Sequence, residues 1–115
     1  MRVGAVQDVY GYFRVLGDRK RLAIVRYLAK HGELSVTSLS RSLRLSQPLM
    51  SWHLRLLRKA GIVKTRRMGR QVFCSLDIDQ LMTYEQRVDK ILGLSEASTD
   101  AADIPTLALD NVARQ

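Results

Sequence analysis

Residues 35–76 carry nine Lys or Arg and no Asp or Glu, yet their leucines and valines recur at the spacings of packed secondary structure. A segment that forms core while holding so much uncompensated positive charge must have two unlike faces. One is apolar and docks on the protein; the other is cationic and faces a polyanion. The flanks do not share this bias: residues 1–34 sum to +4 and residues 77–115 to −5, within a chain of 115 residues and net charge +8. The plain alternative, a basic face that is merely solvated, fits a scattered excess better than an acid-free run on patterned structure.

The pattern predicts five helices and a hairpin. Val6, Val9, Tyr10, Phe13 and Leu16 recur at three- and four-residue steps, an amphipathic helix that ends near Gly17. Asp18 is placed to cap a second helix with Leu22, Val25, Leu28 and Ala29 as its inward stripe, closed by Gly32. Ser35 caps a short third helix, with Val36, Leu39 and Leu43 inward. Ser46 caps a fourth, with Pro48 in its first turn and Gly61 past its end. Two short helices joined by "RLS" have helix-turn-helix spacing. "IVKTRR" and "QVFCSL" then read as strands around "MGR", with Gly69 supplying the turn. Asp77 caps a last helix carrying Leu81, Tyr84, Val88, Ile91 and Leu92 on one face. The expected architecture is mainly α with a small β-hairpin, in the order α-α-α-α-β-β-α, over residues 1–93. Residues 94–115, acidic and weakly patterned, are expected to form a mobile tail.

In the helix expected over about 46–60, Met50, Leu54 and Leu57 share an inward face, which leaves Gln47, Ser51, Trp52, Arg55, Arg58 and Lys59 outward. A protruding helix fits the DNA major groove, with its N-terminal half nearest the bases. Gln47 suits a two-point contact with adenine, and Ser51 allows close approach. Arg55 suits guanine or a phosphate, and the amides after Ser46 suit a phosphate oxygen. Trp52 is either a packed ring or one that faces the duplex; its angular position beside Ser51 favours the second. His53 lies beside the inward face and is expected to be a hydrogen-bonded structural histidine. The wing expected over about 62–76 gathers Lys64, Arg66, Arg67 and Arg70 at its tip. Alternation puts Lys64 and Arg66 on one face, with Thr65 and Arg67 on the other. Such a tip can straddle phosphates or enter a minor groove, or it can protect a strand edge by charge.

"LSQPLMSWHLRLLRKAGIVKTRRMGRQVFCSL" resembles the signature of the ArsR-like (arsenical-resistance-repressor type) regulators. It matches their leucine-serine-x-proline, serine-x-histidine-leucine, glycine-isoleucine-valine and arginine-x-glycine-arginine elements. "FRVLGDRKRLAIVRYL" is similar to the family's opening, so the resemblance covers about residues 10–80. It implies a winged helix-turn-helix that dimerises, usually through its first and last helices, and represses an operon until an effector releases it. Carried over residue by residue, it implies DNA contacts from Gln47, Ser51, Trp52 and Arg55 and from the wing residues Arg66 and Arg70. Trp52 departs from the polar or basic residue common there. Metal-sensing relatives hold two cysteines in the third helix; here "ELSVTSL" puts Ser35 and Thr37 in those places, and hydroxyls do not replace thiolates for soft metals. "DIDQLMTYEQRVDKI" also lacks the histidine of the other familiar site, so no metal or other cofactor is expected.

The expected function is sequence-specific recognition of double-stranded DNA by a homodimeric transcriptional regulator, a repressor by resemblance. Ser46, Gln47, Ser51, Trp52, Arg55, Lys64, Arg66 and Arg70 are its expected contacts. Apolar stripes at Val6, Val9, Tyr10, Phe13, Leu81, Tyr84, Val88 and Ile91 exceed what one small core can hide and are the expected dimer surface. The competing reading is a winged-helix module that meets a protein or RNA without operator specificity. Catalysis is not expected, since no phosphate loop or nucleophile–base arrangement is present. The single Cys74, in an apolar strand, reads as a structural residue rather than a redox sensor. With no membrane segment or signal peptide in the pattern, the chain is expected in the cytoplasm, its effector unspecified.

Overall fold

A computed structural model describes residues 3–94, and of the side chains those from Val6 onward. The expected tail beyond them lies outside the described residues. The elements are α1 (Val3–Leu16), α2 (Arg19–His31), β1 (Leu34–Ser35), α3 (Val36–Leu43), α4 (Gln47–Lys59), β2 (Val63–Met68), β3 (Gln71–Leu76) and α5 (Ile78–Leu92). Four of the five helices start where a short polar side chain caps them. Asp18 accepts from the amides of Lys20 and Arg21, Ser35 from Ser38, Ser46 from Leu49, and Asp77 from Gln80. Pro48 sits in the first turn of α4, where its missing N–H costs nothing.

The strand β1 was not expected. Leu34 and Ser35 pair antiparallel with Cys74 and Phe73, giving a three-stranded sheet in the order β1-β3-β2. Two residues are too few for alternation to signal a strand, and Ser35 serves both as its last residue and as the cap of α3. The turn between α3 and α4 is closed by Arg44, which takes the left-handed conformation (φ 56°) more usual for glycine or asparagine.

The core gathers Ile24 and Leu28 of α2, Leu39 of α3, and Met50, Leu54 and Leu57 of α4. Tyr12, Ile62, Val63 and Cys74 complete it. In α2 the inward stripe differs from the expected one: Leu22 is half exposed and Ala29 exposed, while Ile24 is fully buried. Arg21 shares that inward side with Ile24 and Leu28. Its Nε donates to the Val15 carbonyl (2.6 Å), and its Nη1 lies 3.2 Å from His53 Nδ1 and 3.9 Å from the Asp18 carboxylate. Gly61 (φ 79°) follows α4 in a conformation that disfavours a side chain, and a Cβ there would stand 3.0 Å from Gln80 Cγ. The hairpin closes at its base, where the Asp77 amide donates to the Ile62 carbonyl (2.9 Å) beside the Val63–Leu76 pair.

Helix α5 returns across α1. Tyr12 and Tyr84 stack at 4.4 Å between centroids; the Tyr12 hydroxyl donates to Glu85 Oε2 (2.8 Å) and that of Tyr84 to the Ala60 carbonyl (2.8 Å). Burial, reinforced by the Glu85 carboxylate, pushes the Tyr12 hydroxyl up to about 12, so it remains a donor. The apolar residues of α1 and α5 therefore divide between two tasks. Val9 is buried, and Leu81 and Tyr84 pack on the chain's own core. Val6, Tyr10 and Phe13 stay exposed, together with Ile78, Met82 and Leu92. Of the expected dimer surface, Val9 is buried within the protomer, because Tyr12 rather than Tyr10 marks the inward side of α1, while Leu81 and Tyr84 are half-buried against its core. Val88 and Ile91 are half-buried.

Candidate nucleic-acid interface

Recognition chemistry is laid out on α4 by its two faces. Met50 and Leu57 are fully buried and Leu54 nearly so, which fixes the rotation of the helix about its axis. Gln47, Ser51, Trp52, Arg55, Arg58 and Lys59 are then exposed, as helical periodicity requires. Trp52 is half exposed, with the Arg55 guanidinium 5.9 Å from its ring centroid, so it is not a core residue. Gln47 Nε2 donates to Thr37 Oγ1 (3.2 Å), which ties the start of α4 to α3 and holds the amide at the surface. Ser46 is exposed at the cap.

His53 anchors the same helix from behind. It is buried, and its Nδ1 faces Arg21, which can only donate. The ring hydrogen therefore sits on Nε2, a buried nitrogen with no partner among the described residues. Burial holds the imidazole below its usual pKa, and the Arg21 cation acts in the same direction against the opposing pull of Asp18. A neutral histidine at this place joins α4 to the α1–α2 corner without adding charge beneath the recognition face.

The hairpin meets α4 along one side only. Thr65 pairs with buried Cys74 and Arg67 with Val72, so alternation from buried Val63 puts Thr65 and Arg67 on the side that faces α4. A cleft of about 360 Å³ runs between helix and hairpin, and Gln47, Ser51, Arg55, Arg58, Thr65, Arg70 and Gln71 are among its lining residues. The structure thus brings Gln47, Ser51, Arg55 and Arg70 to one cleft. Lys64 and Arg66 lie on the opposite face of the hairpin.

Arg66 is further removed by a partner of its own. Its Nε and Nη2 reach the two oxygens of Glu33 at 2.6 and 2.7 Å, with the guanidinium 5.2 Å from the Phe73 ring centroid. This two-point pair holds the Glu33 carboxyl below its ordinary range and lifts Arg66 above its own. The sequence pattern expects Arg66 among the wing's DNA contacts, and its partner Glu33 is invisible to that pattern because it lies 33 residues away, ahead of the acid-free run. Arg67 shares the strand face of Thr65, as alternation expects, and is exposed. Cys74 is fully buried in β3 and burial pushes its thiol up to about 11, the state of a structural thiol rather than a reactive one. No cluster of three His, Cys, Asp or Glu able to hold a metal occurs among the described residues.

Comparison with known proteins agrees with this geometry. Residues 18–65 match the sequence profile of the family described as bacterial regulatory protein, arsR family. An uncharacterised HTH-type transcriptional regulator of Methanocaldococcus jannaschii is 37% identical over 79 residues, covering 69% of this chain and 89% of the relative. The arsenical resistance operon repressor of Escherichia coli is 45% identical over 60 residues, covering 52% of this chain and 51% of the repressor. The chain thus spans nearly all of the first and about half of the second. Among solved structures, the homodimeric winged helix-turn-helix DNA-binding domain of a possible ArsR-family regulator from Mycobacterium bovis superposes with a TM-score of 0.62. It is 23% identical and covers 78% of this chain and 84% of that one, a likeness of fold. Its helix-turn-helix, its hairpin wing and its sequence together place this chain in the arsR family of winged helix-turn-helix transcriptional regulators.

Proposed function

We propose that the protein is a repressor that binds an inverted-repeat operator as a homodimer in the cytoplasm. The α4 helix enters the major groove and the wing lies on the adjacent backbone or minor groove. The observation that carries this reading is the shared cleft: Ser51 and Arg55 of α4 and Arg70 of the wing line one concavity, with Arg58 beside them. Gln47, Ser51, Trp52 and Arg55 are the proposed base-side contacts, with the Ser46 cap and Arg70 on phosphates. Lys64 is a peripheral phosphate contact, and Arg66 becomes one only after leaving Glu33. The exposed Val6, Tyr10 and Phe13 of α1, with Met82 of α5, support dimerisation. Val88 and Ile91 extend that surface.

A two-fold dimer requires half-sites about one helical turn apart. The test is selection of bound duplexes from a random pool, followed by titration at several salt concentrations. An inverted repeat and a log–log slope of about −5 or steeper are expected. A single unrepeated half-site, or a shallow slope without sequence preference, contradicts the proposal.

A further inference from the structure

The outward turn of Leu22 leaves a feature that the DNA-binding face does not use. A groove of about 570 Å³ runs along the outer side of α2, and its lining includes Leu22, Tyr27 and Leu43 as apolar surface and Arg19, Arg26 and Lys30 as cations. Leu22 is half exposed. Helix α2 contains no acidic residue, and none of these three cations has an ion pair among the described residues. Arg26 and Lys30 lie one turn apart, a like-charge spacing that disfavours the free helix and that a bound anion relieves. From Arg19 to Lys30 the rise is about 16 Å, the length of a molecule with an extended body. Volume, apolar lining and a few placed charges are those of a small-ligand site.

We propose that this groove binds a small free organic acid with an elongated apolar body, its carboxylate held by Arg26 and Lys30 and its body on Leu22, Tyr27 and Leu43. Leu43 is the last residue of α3, next to the left-handed turn at Arg44 that leads into α4. A ligand seated there touches the joint of the helix-turn-helix and acts as an effector of DNA binding. The effector role rests on the DNA-binding reading above; ligand binding itself is measured without DNA, so the two fail separately.

Decanoate is the probe, titrated into the full chain below its micelle concentration by calorimetry and by amide NMR. Saturable one-to-one binding is expected, with shifts on α2 and the end of α3. Decanol and the exposed-residue variant Arg26→Glu/Lys30→Glu should each bind at least about tenfold more weakly, while Lys90→Glu on α5 changes nothing. Equal affinity for decanol, indifference to the α2 charge reversal, or shifts confined to α1 and α5 would overturn the site. Duplex DNA should change decanoate affinity severalfold, and by linkage decanoate should change DNA affinity by the same factor. Identical affinities with and without duplex remove the effector role.

Discussion

The recognition helix and the wing carry the same kind of charge but hold it differently. On α4 the apolar face is buried to completion at Met50 and Leu57, and the cations opposite have no ion-pair partner among the described residues. On the hairpin only Val63 and Cys74 are buried, the tip is exposed, and Arg66 is tied to Glu33. A helix fixed by its core can present side chains in a set register, which reading bases requires. A hairpin fixed mainly at its base can adjust, which suffices for following a phosphate backbone. On the proposed reading, the firmly packed element is the one that meets the bases and the lightly packed one follows the backbone.

The sharpest way to break this contrast is to attack the two anchors. Leu57→Ala should lower unfolding free energy by about 2–5 kcal/mol in urea titrations, against a change within about 0.5 for Met68→Ala at the tip. Comparable losses at both positions would mean that the wing is as firmly seated as the helix. Next come the DNA contacts. Arg55→Ala should reduce discrimination between cognate and mutated sites by about 1–3 kcal/mol. Arg70→Ala should instead weaken all duplexes alike and flatten the salt slope by about one. Loss of discrimination from Arg70→Ala would make the wing a reader of sequence.

A pH series sharpens the comparison on the helix side. His53 titrates below its ordinary 6.5 in the folded chain, because burial favours the neutral ring. Its contribution to stability is therefore complete above 6.5, and it declines as pH falls below that value, because the unfolded chain takes up the proton first. Between about pH 7.5 and 5.5, thermal unfolding of the parent should lose midpoint, and His53→Leu should show a smaller loss. Asp18, held low chiefly by the Arg21 amide, adds its own decline only below its ordinary 3.8. Equal pH dependence in parent and variant would show that His53 is not the group responsible. The smallest effect is expected on the wing: Glu33→Gln should leave the unfolding midpoint almost unchanged, since the pair is exposed. It should steepen the salt slope of DNA binding by about 0.9 as Arg66 becomes available to a phosphate. Weaker binding by that variant would instead mean that the Glu33 clasp holds the wing in its DNA-ready shape.

Much of this was legible because periodicity and caps are local signals. Asp18, Ser35, Ser46 and Asp77 start their helices as their chemistry requires, and Met50, Leu54 and Leu57 turn inward at helical spacing. What stayed hidden depended on partners distant in sequence or on polar groups turned inside. Arg21 counts as surface in any hydrophobic pattern, yet it bonds to Val15 and His53 on the inward side of α2 with Ile24 and Leu28, which leaves Leu22 half exposed. The Glu33–Arg66 pair needs the unforeseen strand β1 to bring the two residues together, and two residues carry no alternation. In the site, Gln47, Ser51 and Arg55 fall where the helix pattern puts them. The hairpin parity, Thr65 and Arg67 opposite Lys64 and Arg66, likewise follows from strand alternation.

The bond between the Asp77 amide and the Ile62 carbonyl ties the hairpin's departure and return to a single point on the body. Above that knot Val63 and Cys74 remain core residues, and only the exposed tip around Gly69 is an insertable cassette. Doubling the length of such a closed loop costs only about 0.6 kcal/mol of closure entropy. Evolution or an engineer can therefore lengthen, shorten or recharge the tip around Gly69 to suit another operator while the reading helix keeps its pose.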